Sequence, residues 1–155
     1  MKRADIPGAA DAPLLQVNDL RTWFPIQRGI LSRTVGHVRA VDGVTLSLQP
    51  GETLGLVGES GCGKTTLART IMRLDPPRSG SIVFDGTDLA ALPVRRMRPW
   101  RRSIQIVFQD PYSSLNPRQT VLDIVTEGLR THGLIAASNR EAEAARVLRE
   151  VGMDA

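Results

Sequence analysis

Eight consecutive residues, Gly58-Glu59-Ser60-Gly61-Cys62-Gly63-Lys64-Thr65, carry the residue types and the spacing that hold phosphate. They fit the pattern G-x-x-x-x-G-K-[ST], a loop whose backbone N–H groups wrap a phosphate chain. Glycine tolerates positive φ and brings the backbone close to a ligand with no Cβ in the way. A helix opening at the end of such a loop adds partial positive charge and unpaired N–H donors. Lys64 is expected to reach the β- and γ-phosphates, and the Thr65 hydroxyl to ligate Mg²⁺. Thr66 continues the first helical turn. The chemistry expected is binding of a nucleoside triphosphate with Mg²⁺. The competing reading is a glycine-rich strand–helix turn that binds nothing. Lys64 stands out further because the chain has 20 Lys and Arg residues, of which only Lys2 and Lys64 are lysine.

Such a loop needs a strand before it and a helix after it. Thr53 to Val57 is a compact apolar run, expected to be a buried strand. From Lys64, the residues Leu67, Ile71 and Leu74 recur at helical spacing, and Pro76-Pro77 stops the helix. Leu14 to Val17 makes a short apolar start, followed by Trp23-Phe24-Pro25, and Gln27 to Gly36 reads as a basic, Gly-containing loop. Val41, Val44, Leu46 and Leu48 mark a β segment, closed by the turn Gln49-Pro50-Gly51. Ser81 to Phe84 is a further strand, with a hairpin-type turn at Asp85-Gly86. Ile104 to Phe108 has the look of a second buried strand, with a loop from Gln109 to Arg118 after it. Thr120 with Asp123 predicts a capping box and a helix through Leu129. Ser138 with Glu141 predicts another, opening a helix along Ala144, Val147, Leu148 and Val151.

At 155 residues, 41% hydrophobic and 23% charged, the chain has the composition of one globular domain. It contains no run of about 20 apolar residues of the kind that spans a bilayer. Residues 1–13, rich in Ala, Asp and Pro, read as a disordered tail without the apolar core of a signal peptide. A single cysteine excludes an internal disulfide and suits a reducing, cytoplasmic compartment. The net charge of +4 allows a nucleic-acid or membrane-surface partner. The run Arg95, Arg96, Arg98, Arg101, Arg102 has only Trp100 among it as a stacking ring, so a solvated basic face is preferred to a nucleic-acid site. His37 and His132 are isolated. Cys62 reads as a small residue that fits the turn.

The stretch Gly51 to Leu67, GETLGLVGESGCGKTTL, resembles the Walker A block of ABC transporter ATPases. Val107-Phe108-Gln109-Asp110-Pro111 resembles that family's Q-loop, and Ala40 to Val44 the strand ahead of its phosphate loop. Phe24-Pro25 with the long loop after it, Gly36 to Val44, and Gln109 to Pro117 resemble one branch, the ATP-binding subunits of dipeptide and oligopeptide importers. The resemblance covers residues 14 to 154 or so.

The resemblance implies an α/β fold, a P-loop strand and helix with an antiparallel β subdomain from residues 14–48 and 81–90. It implies ATP as the nucleotide, held by Gly58 through Thr66, with Lys64 and Gln109 as catalytic residues and Thr65 and Gln109 toward Mg²⁺. Phe24 matches the aromatic position that stacks on adenine, with neighbouring Trp23 as the rival. Tyr112 to Asn116 match the segment that meets a transmembrane permease. The other implied partners are a second ATP-binding subunit in a head-to-tail dimer and, indirectly, a solute-binding protein, at the inner face of the cell membrane and without nucleic acid. The family's signature Leu-Ser-Gly-Gly-Gln, its Walker B strand and its switch histidine have no match, so residues 14–155 are expected to be the N-terminal part of such a domain. The alternatives are a binding-only or inert fragment, another P-loop kinase or GTPase, and an ABC protein acting on DNA.

Overall fold

The computed structural model describes residues 12–29, 32–110 and 115–153. The tail expected over residues 1–13 lies almost wholly outside them. Two compact units, Met1–Arg101 and Arg102–Ala155, make up the chain.

The first unit is built on an antiparallel sheet of β1 (Leu15–Arg28), β2 (Arg33–Leu48), β3 (Ser79–Phe84) and β4 (Thr87–Asp88), in the order β2-β1-β3-β4. This is the antiparallel subdomain that residues 14–48 and 81–90 were expected to form. The β1–β2 hairpin is far longer than the sequence predicts, because Gln27, Arg28 and Arg33 to Gly36 pair across it instead of forming a loop. Pro25 is tolerated there because β1 pairs with β3 only up to Arg21, so the stretch around the proline has one neighbour. Val17, Leu20 and Thr22 face the core, a spacing that breaks strict alternation. The break is a bulge at Asp19, whose φ is 43° and whose N–H is taken by Thr45 Oγ1 at 3.0 Å.

Helix α1 (Lys64–Ile71) packs on this sheet through Leu67 and through Thr70, whose hydroxyl meets that of Thr22 at 2.9 Å with both side chains buried. It ends a turn earlier than Pro76-Pro77 requires. Arg73 takes φ 54°, and the N–H groups of Arg73 and Leu74 bond to the carbonyls of Thr70 and Arg69. That is a left-handed helix stop of the Schellman kind with arginine in the usual glycine position. The Asp85-Gly86 turn has φ 45° and 77°, as the two-residue hairpin predicts.

Two expected buried strands are not strands here. Thr53 to Val57 and Ile104 to Phe108 have no ladder partner among the described residues, and Val57 and Val107 are 96% and 88% exposed. An apolar run becomes a buried strand only when neighbours close its backbone N–H and C=O groups and cover its side chains.

In the second unit, α2 (Val121–Thr131) opens on the predicted capping box: Thr120 accepts from the Asp123 N–H at 3.1 Å while Asp123 accepts from the Thr120 N–H. The box predicted from Ser138 and Glu141 is not formed. α3 begins at Arg140 (Arg140–Glu150) after Asn139, and the Ser138 hydroxyl bonds to Asn139 Oδ1 at 3.2 Å instead. Arg140 ties the two helices, donating to Asp123 and, at 2.8 Å, to the buried Thr126 hydroxyl. The Arg140 hydrogen bond, with help from the Thr120 hydroxyl, lowers the Asp123 carboxyl from an ordinary 3.8 to about 2. A depressed carboxylate contributes stability that is complete above its ordinary value and is lost as pH falls through the folded one. The expected result is a melting temperature that drops more steeply between pH 4 and pH 2 in the parent chain than in Asp123→Asn. Parallel slopes in a thermal denaturation series would show the pair to be inconsequential.

Candidate functional site

The loop between Gly58 and Thr65 hangs between β2 and α1 of the first unit. Gly63 is the residue before the helix, with φ 96° and ψ 3°. No side chain caps α1 and no acidic residue occupies its first turn. Its leading N–H groups are therefore open: among the described residues those of Gly61, Gly63, Lys64, Thr65 and Thr66 have no acceptor. They stand at the positive end of a helix dipole, as the donors of an anion-binding nest do.

Packing dictates the glycines. A Cβ on Gly63 would stand 2.2 Å from the Ala40 carbonyl oxygen on β2, and one on Gly58 would stand 2.7 Å from Cys62 Sγ. Gly61 takes φ 80° with open space around it. Ala40 is thus part of the site through its backbone alone, which no side-chain motif announces.

Lys64 folds back over the loop. Its Nζ donates to the carbonyls of Gly58 at 2.6 Å and Glu59 at 2.7 Å and lies 3.5 Å from Cys62 Sγ. The ammonium is held at the centre of the bend by partners that a stronger anionic acceptor can replace. Glu59, Ser60, Cys62 and Thr65 are exposed along the loop, and Thr66 is half-buried. Among the described residues no group of three or more His, Cys, Asp or Glu stands ready for a metal.

Trp23 and Phe24 separate clearly. Two guanidiniums lie over the Trp23 ring, Arg39 at 4.6 Å and Arg78 at 4.5 Å, and its indole N–H donates to Asp42 at 3.3 Å. Two cation–π contacts and the indole hydrogen bond make it a fixed structural ring. Phe24, next along the strand and 39% exposed, makes no ring contact among the described residues. Its face is available. The pairing of Trp23 with Arg78, 55 residues on by count from the numbering, carries no local sequence signal.

Gln109 belongs to the second unit, where it is exposed in a segment without strand pairing. Of Tyr112 to Asn116, residues 112–114 lie outside the described residues. Leu115 is exposed, and the Asn116 side chain and carbonyl accept from the N–H groups of Arg118 and Gln119 at 3.0 Å each, making a tight polar turn.

Residues 41–155 match the ABC transporter family. The oligopeptide transport ATP-binding protein AppF of Bacillus subtilis (strain 168) is 46% identical over 141 residues, which cover 90% of this chain and 43% of AppF. The glutathione import ATP-binding protein GsiA of Escherichia coli (strain K12) is 45% identical over 141 residues, 91% of this chain and 23% of GsiA. The chain therefore spans less than half the length of these relatives. The dimeric, post-hydrolysis structure of the ATP-binding cassette MJ0796 bound to ADP and Pi has a similar fold, with a TM-score of 0.70 at 24% identity, over 87% of this chain and 56% of that one. With nearly three-quarters of its length matched, the chain belongs to the ABC transporter family.

Proposed function

We propose that the chain forms part of an ATP-binding subunit that powers import of peptides through a membrane permease by ATP hydrolysis. The observation that carries this is the nest at residues 58–66, with open N–H donors and the Lys64 ammonium turned into it. The donor set fits a polyphosphate: it is all N–H and N⁺–H, and a Cβ at Gly58 would intrude on the loop, 2.7 Å from Cys62 Sγ and 3.9 Å from Lys64 Nζ. For Mg²⁺ the loop offers the Thr65 hydroxyl, which suits an ion that keeps phosphate oxygens and waters as most of its ligands. Bound there, Mg²⁺ supplies charge neutralisation at the phosphates. Gln109 is assigned to the γ-phosphate, its Mg²⁺ and the attacking water by resemblance, with one carbonyl oxygen and one amide to offer.

Adenine is assigned to Phe24 because the Trp23 ring is already engaged by Arg39 and Arg78. Residues 14–155 would then be the N-terminal part of the ATP-binding domain. Its partners would be a second such subunit, the permease near Tyr112 to Asn116 and, at one remove, a solute-binding protein, on the cytoplasmic side of the membrane. Peptides as the transported class rest on the likeness to AppF. A second reading, binding without turnover by these 155 residues, is favoured by the unpaired, exposed run at Thr53 to Val57 beside the loop.

A titration of the purified chain with MgATP, with phosphate release followed in parallel, tests both. Binding is expected, with release at background. Phe24→Ala should lose on the order of 1–3 kcal/mol of ATP affinity, the scale of base–aromatic stacking. Phe24→Tyr should bind as the parent does, and tripolyphosphate should not distinguish the three. A folded parent chain that binds no ATP would overturn the proposal; steady, Lys64-dependent release would overturn the second reading.

Cys62 provides an independent check on the loop. Its thiol is exposed, 3.5 Å from Lys64 Nζ and tight against Gly58. Alkylation by N-ethylmaleimide is expected to abolish ATP binding, whereas Cys62→Ala binds normally and ignores the reagent. Bound ATP should slow labelling; an unchanged labelling rate at saturating ATP would contradict the placement.

A further inference from the structure

The arginine-rich stretch after β4 is anchored by two apolar side chains and carries exposed guanidiniums. Between Asp88 and Asp110 the chain has no Asp or Glu. Two short 3₁₀ turns, Val94–Met97 and Trp100–Arg102, carry the segment. Met97 is buried and Trp100 stands edge-on to Phe84 at 6.1 Å, so the segment is anchored to the first unit at both residues. Between and beside these anchors Arg95, Arg96 and Arg101 are exposed, and among the described residues none of the three guanidiniums has an ion pair or a hydrogen-bonded partner. Arg98 is otherwise engaged. Elsewhere in the chain arginines are commonly paired, as Arg69 is with Asp75 and Arg146 with Glu143 and Glu150. Val94, 74% exposed, opens the same turn.

We propose that Arg95, Arg96 and Arg101, with Val94 among them, form a docking patch for an anionic lipid surface. Guanidiniums on a short pinned segment meet phosphate headgroups without ordering the backbone, and an exposed aliphatic residue among them suits the headgroup–acyl boundary. Nucleic acid would present phosphates too, but its binders add free aromatic faces for the bases. The one aromatic ring of this segment, Trp100, is half-buried and spent on Phe84. The patch is separate from the phosphate loop, so the proposal stands or falls apart from the nucleotide reading.

Flotation of the purified chain with phosphatidylcholine vesicles, with and without phosphatidylglycerol, tests it. Binding is expected only to the phosphatidylglycerol vesicles, weakening as salt shortens the screening length. The triple variant Arg95→Gln, Arg96→Gln, Arg101→Gln should lose on the order of a hundredfold, at about fivefold per arginine. The matching triple to lysine should retain binding, and a charge-matched control, Arg28→Gln, Arg33→Gln, Arg149→Gln, should lose far less. The thermal melt of the glutamine triple should match that of the parent chain, which certifies its fold. Equal losses in the two glutamine triples, no preference for phosphatidylglycerol, or displacement from vesicles by a short oligonucleotide bound more tightly would each overturn the proposal.

Discussion

Lys64→Ala is expected to bind MgATP ten- to a hundredfold more weakly than the parent chain. In the free loop the ammonium is already satisfied by the Gly58 and Glu59 carbonyls. Nucleotide binding exchanges those two neutral acceptors for charged phosphate oxygens. What the variant forfeits is a contact between two full charges, worth about 1.5–3 kcal/mol. Converted at 1.4 kcal/mol per tenfold, that is the loss expected. Because the contact is to phosphate, tripolyphosphate should suffer as ATP does, the opposite of the pattern set by Phe24→Ala. Stability should change little, since the carbonyls released sit on exposed residues that water can serve. Lys64→Arg should not rescue, because a planar fork cannot occupy a bend built around a point charge. A folded Lys64→Ala chain with parental ATP affinity would remove the loop from the site.

What could be read from the chain without coordinates follows the range of the interactions involved. The phosphate loop, the Thr120–Asp123 box and the Asp85-Gly86 turn each lie within a few consecutive residues, where backbone preference and side-chain reach decide the outcome. Thr53 to Val57 and Ile104 to Phe108 have the composition of buried strands, yet strand formation depends on neighbours that composition cannot supply. The hairpin through Gln27 and Arg33 was missed for the converse reason. Its polar, basic residues look like loop but extend a ladder nucleated by Leu15 to Thr22 and by Val41 to Leu48. Ser138 shows local ambiguity: Asn139 competes with it for the same helix start. At the site, the positive-φ glycines Gly61 and Gly63 and the helix start at Lys64 follow from the loop's own sequence. The Ala40 carbonyl under Gly63 and the guanidinium contacts on Trp23 do not, since both join residues distant in the chain.

Gly63→Ala is expected to be the most damaging single methyl group that can be added to the site. Its Cβ would lie 2.2 Å from the Ala40 oxygen and 3.3 Å from the Ala40 carbonyl carbon, and both atoms are backbone. Ala40 cannot step aside, because Val41 beside it is buried and paired with Thr22, whose hydroxyl in turn holds α1 at Thr70. A φ of 96° adds conformational strain of about 1–2 kcal/mol for any residue with a Cβ. The loop must therefore leave β2 or change its backbone path, and either course disperses the N–H nest. Losing several aligned donors should weaken ATP by more than the hundredfold upper figure for Lys64→Ala. The neighbouring glycines set the scale. Gly61→Ala has the strain, at φ 80°, and no clash, so roughly tenfold is expected from the same strain figure. Gly58→Ala has the clash, at 2.7 Å, but against the Cys62 side chain and without positive φ. Its defect should be relieved by adding Cys62→Ala, whereas no side-chain change should rescue Gly63→Ala. Parallel ATP titrations and thermal melts of the four variants decide the matter. A Gly63→Ala chain that binds ATP no worse than Gly61→Ala would mean that the loop does not rest on Ala40 when nucleotide is bound.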